Sequence, residues 1–577
     1  MTEPETVAVP VAPLQRALDR VSDIAVGVAS LALLGLVVVQ GWQVFTRYVL
    51  NDSPSWTEPV TLLLLSTALS LGAAAGVHTN RHFGFYLLGD HVPPLVRKMF
   101  EVIRPLMILS IGAVLAWWSA ALLVDGLDIK MAGAQMPQSI NYGPCRRSAL
   151  MGIAMLLGTF VVLLLIGVPV AYALGAAALA TLLYLDLPMV VLVQQISAGS
   201  GSASLIAIPL FIFAGELMLR GGISERLIAL ASSLVGRVRG GLGQVSVLSS
   251  LFFGGVSGSA IADVSAVGGT MIPQMIKRGY DRDYAVNVSM TAALVALLVP
   301  PSHNLILFSA AAGGGLSIAD LFAAGIFPAL LMTAAMMVTG YAVARHRGYG
   351  TEAFPGWRAV ALRLIGALPG LGLVGLIFIG IRAGIFTAVE SAAIAVVYAL
   401  IVTALLYRQL RWAEFFAAVT HAARTTGVIL FVIATAAVFG WLLAYLQVPA
   451  AAVKFLQAIA DSKNTVLLMI VVMLLLLGMF MDLAPKILIC TPIFLPVVKA
   501  YGIDPIHFGL VMVLAGGIGL ITPPIGSVLF IGTSIGQITI AQSMRTIWPF
   551  WLAALCVLLI VAFFPELSLW LPRALRA

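Results

Sequence analysis

Ile272-Pro273, Gly279-Tyr280-Asp281 and Pro300-Pro301 form one set of landmarks; Leu495-Pro496, Gly502-Ile503-Asp504 and Pro523-Pro524 form a second, 223 residues further on. The spacing within the two sets is identical. Gly255 and Gly478, and Gly313 and Gly536, keep the same offset, and Ser317-Ile318-Ala319 is echoed by Thr539-Ile540-Ala541 after a slip of one residue. A fixed period of this kind marks a chain built from structural repeats. Apolar segments broken by Pro and Gly at corresponding places in two halves point to a secondary transporter that binds its cargo at the breaks. The repeats are expected to be inverted, although the periodicity itself is silent on their sense.

Composition sets the surroundings. Of 577 residues, 61% are hydrophobic and 10% are charged, against about 25% charged in an average soluble domain. Mean hydropathy is +1.06. Apolar runs of about 20 residues recur, each long enough to cross a bilayer. The fold class is therefore an all-α polytopic membrane protein. Cys145, Cys490 and Cys556 form no spaced framework, which excludes a disulfide scaffold or a cysteine metal cluster. The net charge of +8 comes largely from short clusters: Arg97, Lys98 and Arg104; Arg345, Arg347, Arg358 and Arg363; Arg408 and Arg411. Clusters beside spans mark the cytoplasmic side, so the charge faces lipid and cytoplasm and no nucleic acid is expected. His-Glu-x-x-His and the phosphate-binding Gly-rich loop are missing, and no Gly-x-Ser-x-Gly elbow stands in a strand context. The chain reads as no enzyme, and transport must draw on an ion gradient or on a separate ATPase.

The organisation follows from where polarity returns. Residues 1–21 read as an N-terminal cytoplasmic tail. Residues 22–124 read as a small scaffold module with spans at 22–44, 59–77 and 103–124 and an amphipathic piece at 83–98. Trp56, before the second span, suits an interface. Residues 125–147 carry Asp125, Asp128, Lys130, Arg146 and Arg147. Charge at the bilayer centre costs about 2.5–3.5 kcal/mol per residue even on insertion scales. That segment reads as an extramembrane, periplasmic linker. Residues 148–577 form the transport module, divided by a polar break at 343–363 into halves 148–342 and 364–577.

Four stretches break helix rules within apolar sequence: 197–209, 254–263, 299–304 and 516–527. Non-helical backbone at membrane depth survives only where protein or a water-filled cavity covers it. Proline frees a carbonyl one turn earlier, and carbonyl and hydroxyl oxygens are ligands for hard cations. Thr522 and the Gly519 carbonyl suit such a pair. The competing reading is close helix packing by small residues, which weighs most for 197–209. Glu216, Asp263, Glu390, Asp482 and Lys486 are ionisable residues inside apolar runs and so are functional candidates. Asp263 and Lys486 hold equivalent repeat positions, as do Ser259 and Asp482. Lys486 either pairs with Asp482 one turn away or attracts an anionic substrate. Glu390 is expected to pair with Arg382, and His303 to be satisfied within its break rather than to bind metal.

Several motifs carry a resemblance. They are Ala207-Ile208-Pro209-Leu210-Phe211-Ile212-Phe213-Ala214-Gly215-Glu216, Gly258-Ser259-Ala260-Ile261-Ala262-Asp263, Lys277-Arg278-Gly279-Tyr280-Asp281, Pro300-Pro301-Ser302, Gly478-Met479-Phe480-Met481-Asp482 and Gly519-Leu520-Ile521-Thr522-Pro523-Pro524-Ile525-Gly526. Phe45-Thr46-Arg47-Tyr48-Val49 and Ser55-Trp56-Thr57-Glu58 add weaker matches. The chain resembles the permease of tripartite ATP-independent periplasmic (TRAP) transporters, with small and large subunits fused. The resemblance implies an elevator-type transporter of the bacterial inner membrane, with re-entrant helical hairpins. It implies sodium-coupled uptake of an organic acid, received from a periplasmic substrate-binding protein. Sodium is then the coupling ion, placed at Ser257, Gly258, Ser259, Pro300, Ser302, Gly519 and Thr522. Asp263, Asn304, Asp482, Lys486, Pro523 and Pro524 fall on the substrate side. Two features depart from the family: three spans rather than four precede Ser148, and Lys486 stands where an apolar residue is expected. The alternatives are a stand-alone ion-coupled anion symporter without a binding protein, and a channel or integral scaffold protein.

Overall fold

A computed structural model describes residues 13–51, 54–78, 94–126, 146–351, 353–460, 462–523 and 526–576. Among these, helices account for nearly all regular structure. Helices α1 (Pro13–Tyr48), α2 (Thr57–His78) and α3 (Pro94–Gly126) precede α4 (Arg146–Ile166), α5 (Val170–Tyr184) and α6 (Val190–Ser200). The first repeat then runs through α7 (Ala207–Arg220), α8 (Ile223–Val235), α9 (Gly241–Ser257), α10 (Ala260–Asp263), α11 (Gly269–Lys277), α12 (Arg282–Ala292), α13 (His303–Ala311) and α14 (Ile318–His346). Helices α15 (Trp357–Arg382) and α16 (Ala388–Leu400) lead to α17 (Trp412–Tyr445). The second repeat continues through α18 (Val448–Ile459), α19 (Lys463–Gly478), α20 (Leu483–Ala500), α21 (Pro505–Leu520), α22 (Ser527–Gly536), α23 (Ile540–Thr546) and α24 (Trp548–Phe563), and α25 (Glu566–Ala574) ends the chain. Eight of the described helices, or nine with α23 and α24 taken as one bent span, are long and apolar enough to cross a membrane.

The offset of 223 residues survives as architecture. Adding it to 260–277 and 282–297 gives 483–500 and 505–520, the bounds of α20 and α21. The landmark glycines do the same local work in both copies, whereas the aspartates differ: Asp281 makes no side-chain cap. Gly279 and Gly502 take positive φ, at 82° and 68°, where glycine avoids the Cβ clash. Asp504 caps α21 by accepting the amides of Ile506 at 2.8 Å and His507 at 3.4 Å.

The sense of the repeats follows from α14, whose 29 residues span about 43 Å at 1.5 Å per residue. At its C-terminal end Arg347 grips Asp283 with two bonds of 2.8 Å and Asp281 with one of 2.9 Å. At its N-terminal end Asp320 pairs with Arg382, at 3.4 Å, and with Arg576. Asp504 caps α21, whose His507 meets Ser568 of α25 at 3.4 Å, the helix that leads directly to Arg576. The equivalent residues Asp281 and Asp504 thus lie at opposite ends of one helix, and the repeats are inverted.

Each copy contains a re-entrant hairpin. Gly240, before α9, donates to the Gly350 carbonyl, and the ring of Tyr280, after α11, lies 4.5 Å from that of Tyr349 at a tilt of 42°. Both feet of this hairpin therefore stand at the basic end of α14. The inverted copy, α19 with α20, enters from the other face, where Tyr501 bonds the Ala460 carbonyl at 3.1 Å. α8 and α18 are short amphipathic helices, and each joins a wall helix, α7 or α17, to its hairpin.

The small module braces the wall. α1 and α2 pack on each other and on α17. Gly72 and Gly427 let α2 and α17 touch, since a methyl group on Gly427 would lie 2.4 Å from the Gly72 carbonyl carbon. Arg47 of α1 meets Glu390 of α16 at 2.8 Å, and Tyr48 reaches the same carboxylate.

Several expectations change. α1 starts at Pro13, inside the segment read as tail, because Leu14 to Arg20 are good helix formers although they are polar. α3 starts at Pro94, so the end of the amphipathic piece belongs to the third helix. Of the linker expected at 125–147, residues 125–126 end α3 and 146–147 begin α4, while 127–145, like the stretch 79–93, lie outside the described residues. Glu390 pairs with Arg47 rather than Arg382, which holds Asp320 instead.

Close packing of Gly427 gives a direct check. Gly427→Leu is expected to lower the melting temperature of the detergent-solubilised protein by several degrees, since overpacking costs about 1–3 kcal/mol. Gly158→Leu, where nothing stands within 4 Å of the added carbon, should leave it unchanged. Equal melting curves for both variants would contradict the α2–α17 contact.

Candidate binding site at the hairpin tips

Each hairpin tip is closed by the broken helix of its own repeat. α9 stops because Gly258 turns to φ 58°, and Ser259 caps the next helix by accepting the Ala262 amide at 3.4 Å. Asn304, at the start of α13, donates to the Gly258 carbonyl at 3.0 Å. Ser302 bonds back to the Leu297 carbonyl at 2.7 Å. A methyl group on Gly258 would come within 2.8 Å of the Pro301 carbonyl oxygen. The peptide between Pro300 and Pro301 is cis.

The second tip repeats this arrangement with different atoms. Ser527, equivalent to Asn304, donates to Asp482 at 3.3 Å. Gly478 lies on Gly519, and a methyl group on Gly519 would come within 2.5 Å of the Gly478 Cα. Gly519 accepts the Thr522 amide at 3.0 Å, which leaves its carbonyl a second lone pair. Thr522 Oγ1 donates to the Ile518 carbonyl at 2.7 Å and accepts the Trp551 indole N–H at 3.1 Å.

Between the tips and the wall of α7 and α17 lies a cavity of about 670 Å³. The tips contribute Ser257, Ser259, Asn304 and Asp482; the wall contributes Glu216, Arg220, His421, Arg424 and Thr425. On α17, residues 421, 424, 425 and 428 fall on one face by helical spacing.

The residues singled out in the sequence divide into three groups. Ser257, Ser259, Asn304 and Asp482 line the cavity. Gly258, Pro300, Ser302, Gly519, Thr522 and Pro523 shape the tips and breaks behind it. Asp263 and Lys486 are fully buried away from it. Pro524 lies outside the described residues. Asp263 accepts a 2.6 Å bond from Ser250 at one oxygen, and the other oxygen has no partner. Lys486 does not pair with Asp482; its ammonium donates to the Gly516 carbonyl at 3.0 Å. The helical spacing was compatible with that pair, but the glycines of α21 offer a nearer acceptor. The stretch 197–209 connects α6 to α7 outside the tips. The sequence reading missed the wall cations Arg220 and Arg424. Arg424 carried a signal, because it stands at the head of the long apolar run of α17.

Among the described residues, no group of three His, Cys, Asp or Glu side chains is arranged to hold a metal. Any cation here would depend on carbonyl, hydroxyl and single carboxylate oxygens.

Opposed hairpins that meet broken helices beside a shared cavity define a multi-pass transport protein. The family model for the DctM component of tripartite ATP-independent periplasmic transporters matches residues 157–567, and that for the DctQ component matches 36–166. The chain belongs to this family, as a permease with fused small and large components. A relative is the sialic acid TRAP transporter permease protein SiaT of Haemophilus influenzae, 28% identical over 610 aligned positions that cover 95% of this chain and 98% of that protein. Another is the 2,3-diketo-L-gulonate TRAP transporter large permease protein YiaN of Escherichia coli, 35% identical over 418 residues, 72% of this chain and 97% of that one. The fold is also similar to the YdaH transporter of Alcanivorax borkumensis, with a TM-score of 0.50 and 16% identity over 73% of this chain and 98% of that one. Members of the family are permeases of the inner membrane rather than enzymes, and they work with a periplasmic substrate-binding protein.

The cavity predicts a pattern of accessibility. In a background without native cysteines, Ser259→Cys is expected to react with an aqueous thiol reagent in opened membranes. Ser302→Cys, fully buried here, should resist it. Equal protection of both positions would place the first tip outside any water-filled cavity.

Proposed function

We propose that the protein takes up an organic acid across the bacterial inner membrane, driven by sodium and supplied by a periplasmic binding protein. The observation that carries the reading is the pair of inverted hairpins, whose tips face one cavity from the two sides of the membrane. In such an arrangement the hairpin bundle moves as a body against the wall of α7 and α17. The amphipathic helices α8 and α18 are placed as its hinging arms, and α1 and α2 keep the wall fixed. Relatives named for sialic acid and for diketogulonate support a carboxylate as cargo, with sugar acids and dicarboxylates as the classes to try first.

The proposed sodium ligands are the residues of the tips and breaks: Ser257, Gly258 and Ser259 with Pro300 and Ser302 in one repeat, Gly519 with Thr522 in the other. The unwound backbone there offers carbonyl oxygens of the kind that coordinate coupling ions. Substrate would lie against the tips, near Asn304 and Asp482.

Reconstituted protein with its cognate binding protein is expected to accumulate the acid only with an inward sodium gradient. Equal accumulation with potassium on both sides would refute sodium coupling, and equal uptake without the binding protein would favour a stand-alone symporter. Thr522→Val should weaken sodium activation while the protein still folds, and Ser259→Ala should be milder because the backbone carbonyls remain. Normal sodium activation in the Val variant would leave Thr522 a packing role.

A further inference from the structure

The wall of the cavity holds two arginines in different electrostatic states. Arg220 is neutralised: it meets Glu216 at 3.3 Å and Glu414 at 3.0 Å. Glu216 is itself shared, with the His421 ring nitrogen 2.9 Å from its other oxygen. Arg424 lies one turn further along α17. Its Nε is buried and has no hydrogen-bond partner, and no described carboxylate comes within ion-pair distance of its guanidinium. A guanidinium beside the apolar run of a long helix is costly unless something pairs with it, and none of the described residues does so.

We propose that Arg424 is a binding residue for the carboxylate of the transported acid, holding it against the wall while the polar groups of the tips face the rest of the molecule. The proposal rests on the uptake reading above and specifies its ligand. A planar, forked guanidinium matches a planar carboxylate with two parallel bonds. The opposite side offers Ser257, Ser259 and Asn304, which suit hydroxyl groups on the cargo. Asp482 and Glu216 border the same space, so a second negative charge on the cargo is disfavoured. The ligand class is a hydroxylated monocarboxylate, such as a sugar acid. Its departure from the tips is then a handover to a cation fixed in the wall.

The test uses the full chain with Cys145, Cys490 and Cys556 replaced by alanine and a single reporter, Thr425→Cys, which borders the cavity beside Arg424. Two probes of similar size are compared: the anionic sulfonatoethyl and the cationic trimethylammonioethyl methanethiosulfonates. A unit charge roughly 6 Å away across water changes each rate about threefold in opposite directions. Arg424→Gln is therefore expected to lower the anion-to-cation rate ratio by about tenfold, and Arg424→Lys to retain most of it. In proteoliposomes with the binding protein, Arg424→Gln should raise the half-saturating substrate concentration or lower uptake by at least about tenfold, with partial rescue in Arg424→Lys. An unchanged rate ratio, or uptake by Arg424→Gln equal to that of the parent, overturns the proposal. A parent protein that shows the ratio but takes up no carboxylate keeps the anion site and refutes the transport reading instead.

Discussion

Bare backbone is intolerable in hydrocarbon, and the whole architecture answers that constraint. Two hairpins stop at membrane depth and two spans are broken there, so four sets of unpaired backbone groups must be covered. The protein covers them pairwise. Asn304 reaches across its break to the Gly258 carbonyl at 3.0 Å, and Ser527 reaches across the other to Asp482 at 3.3 Å. Gly478 and Gly519 close the second pair by direct backbone contact. What remains uncovered faces the cavity, where water or a ligand can meet it. The constraint that forbids irregular backbone elsewhere thus concentrates the available oxygens at one place.

That place was largely legible in the sequence because its causes are local. Pro300-Pro301 and Pro523-Pro524 cannot continue a helix, Gly258 must turn to positive φ, and their spacing repeats at a fixed offset. The inverted sense was not legible, because a linear period is the same for parallel and inverted copies; it needed the two ends of α14 as a ruler. Ion pairs were the weakest inferences. Glu390 with Arg382, and Lys486 with Asp482, were paired by closeness along the chain. Their partners are Arg47, 343 residues away, and the carbonyl of Gly516. In a polytopic chain each charge is brought beside helices remote in sequence, so nearness along the chain carries little information.

The Arg47–Glu390 contact also gives the small module a structural rationale. Glu390 is almost wholly buried, and its carboxylate closes the capping box of α16 by accepting the Thr387 amide at 2.8 Å. A buried carboxylate needs a positive partner, and α1 supplies it. With the Gly72–Gly427 contact, this fixes α1 and α2 to the wall at two separate levels. A wall of only α7, α16 and α17 would present that carboxylate, and the α2-facing side of α17, to lipid.

The two repeats share a backbone but differ in chemistry. At the equivalent positions 263 and 486 one carries a carboxylate and the other an ammonium, both fully buried. Lys486 fills the notch left by Gly478 and Gly516, with its nitrogen on a backbone carbonyl. Lys486 thus fixes a donor on a backbone carbonyl behind the second tip. Asp263 instead leaves one oxygen unpartnered behind the first. The groups that face the cavity differ as well: the first tip presents Ser259 where the second presents the Asp482 carboxylate. The fold's symmetry therefore does not extend to its electrostatics, and equal ion sites in the two halves do not follow from equal backbones.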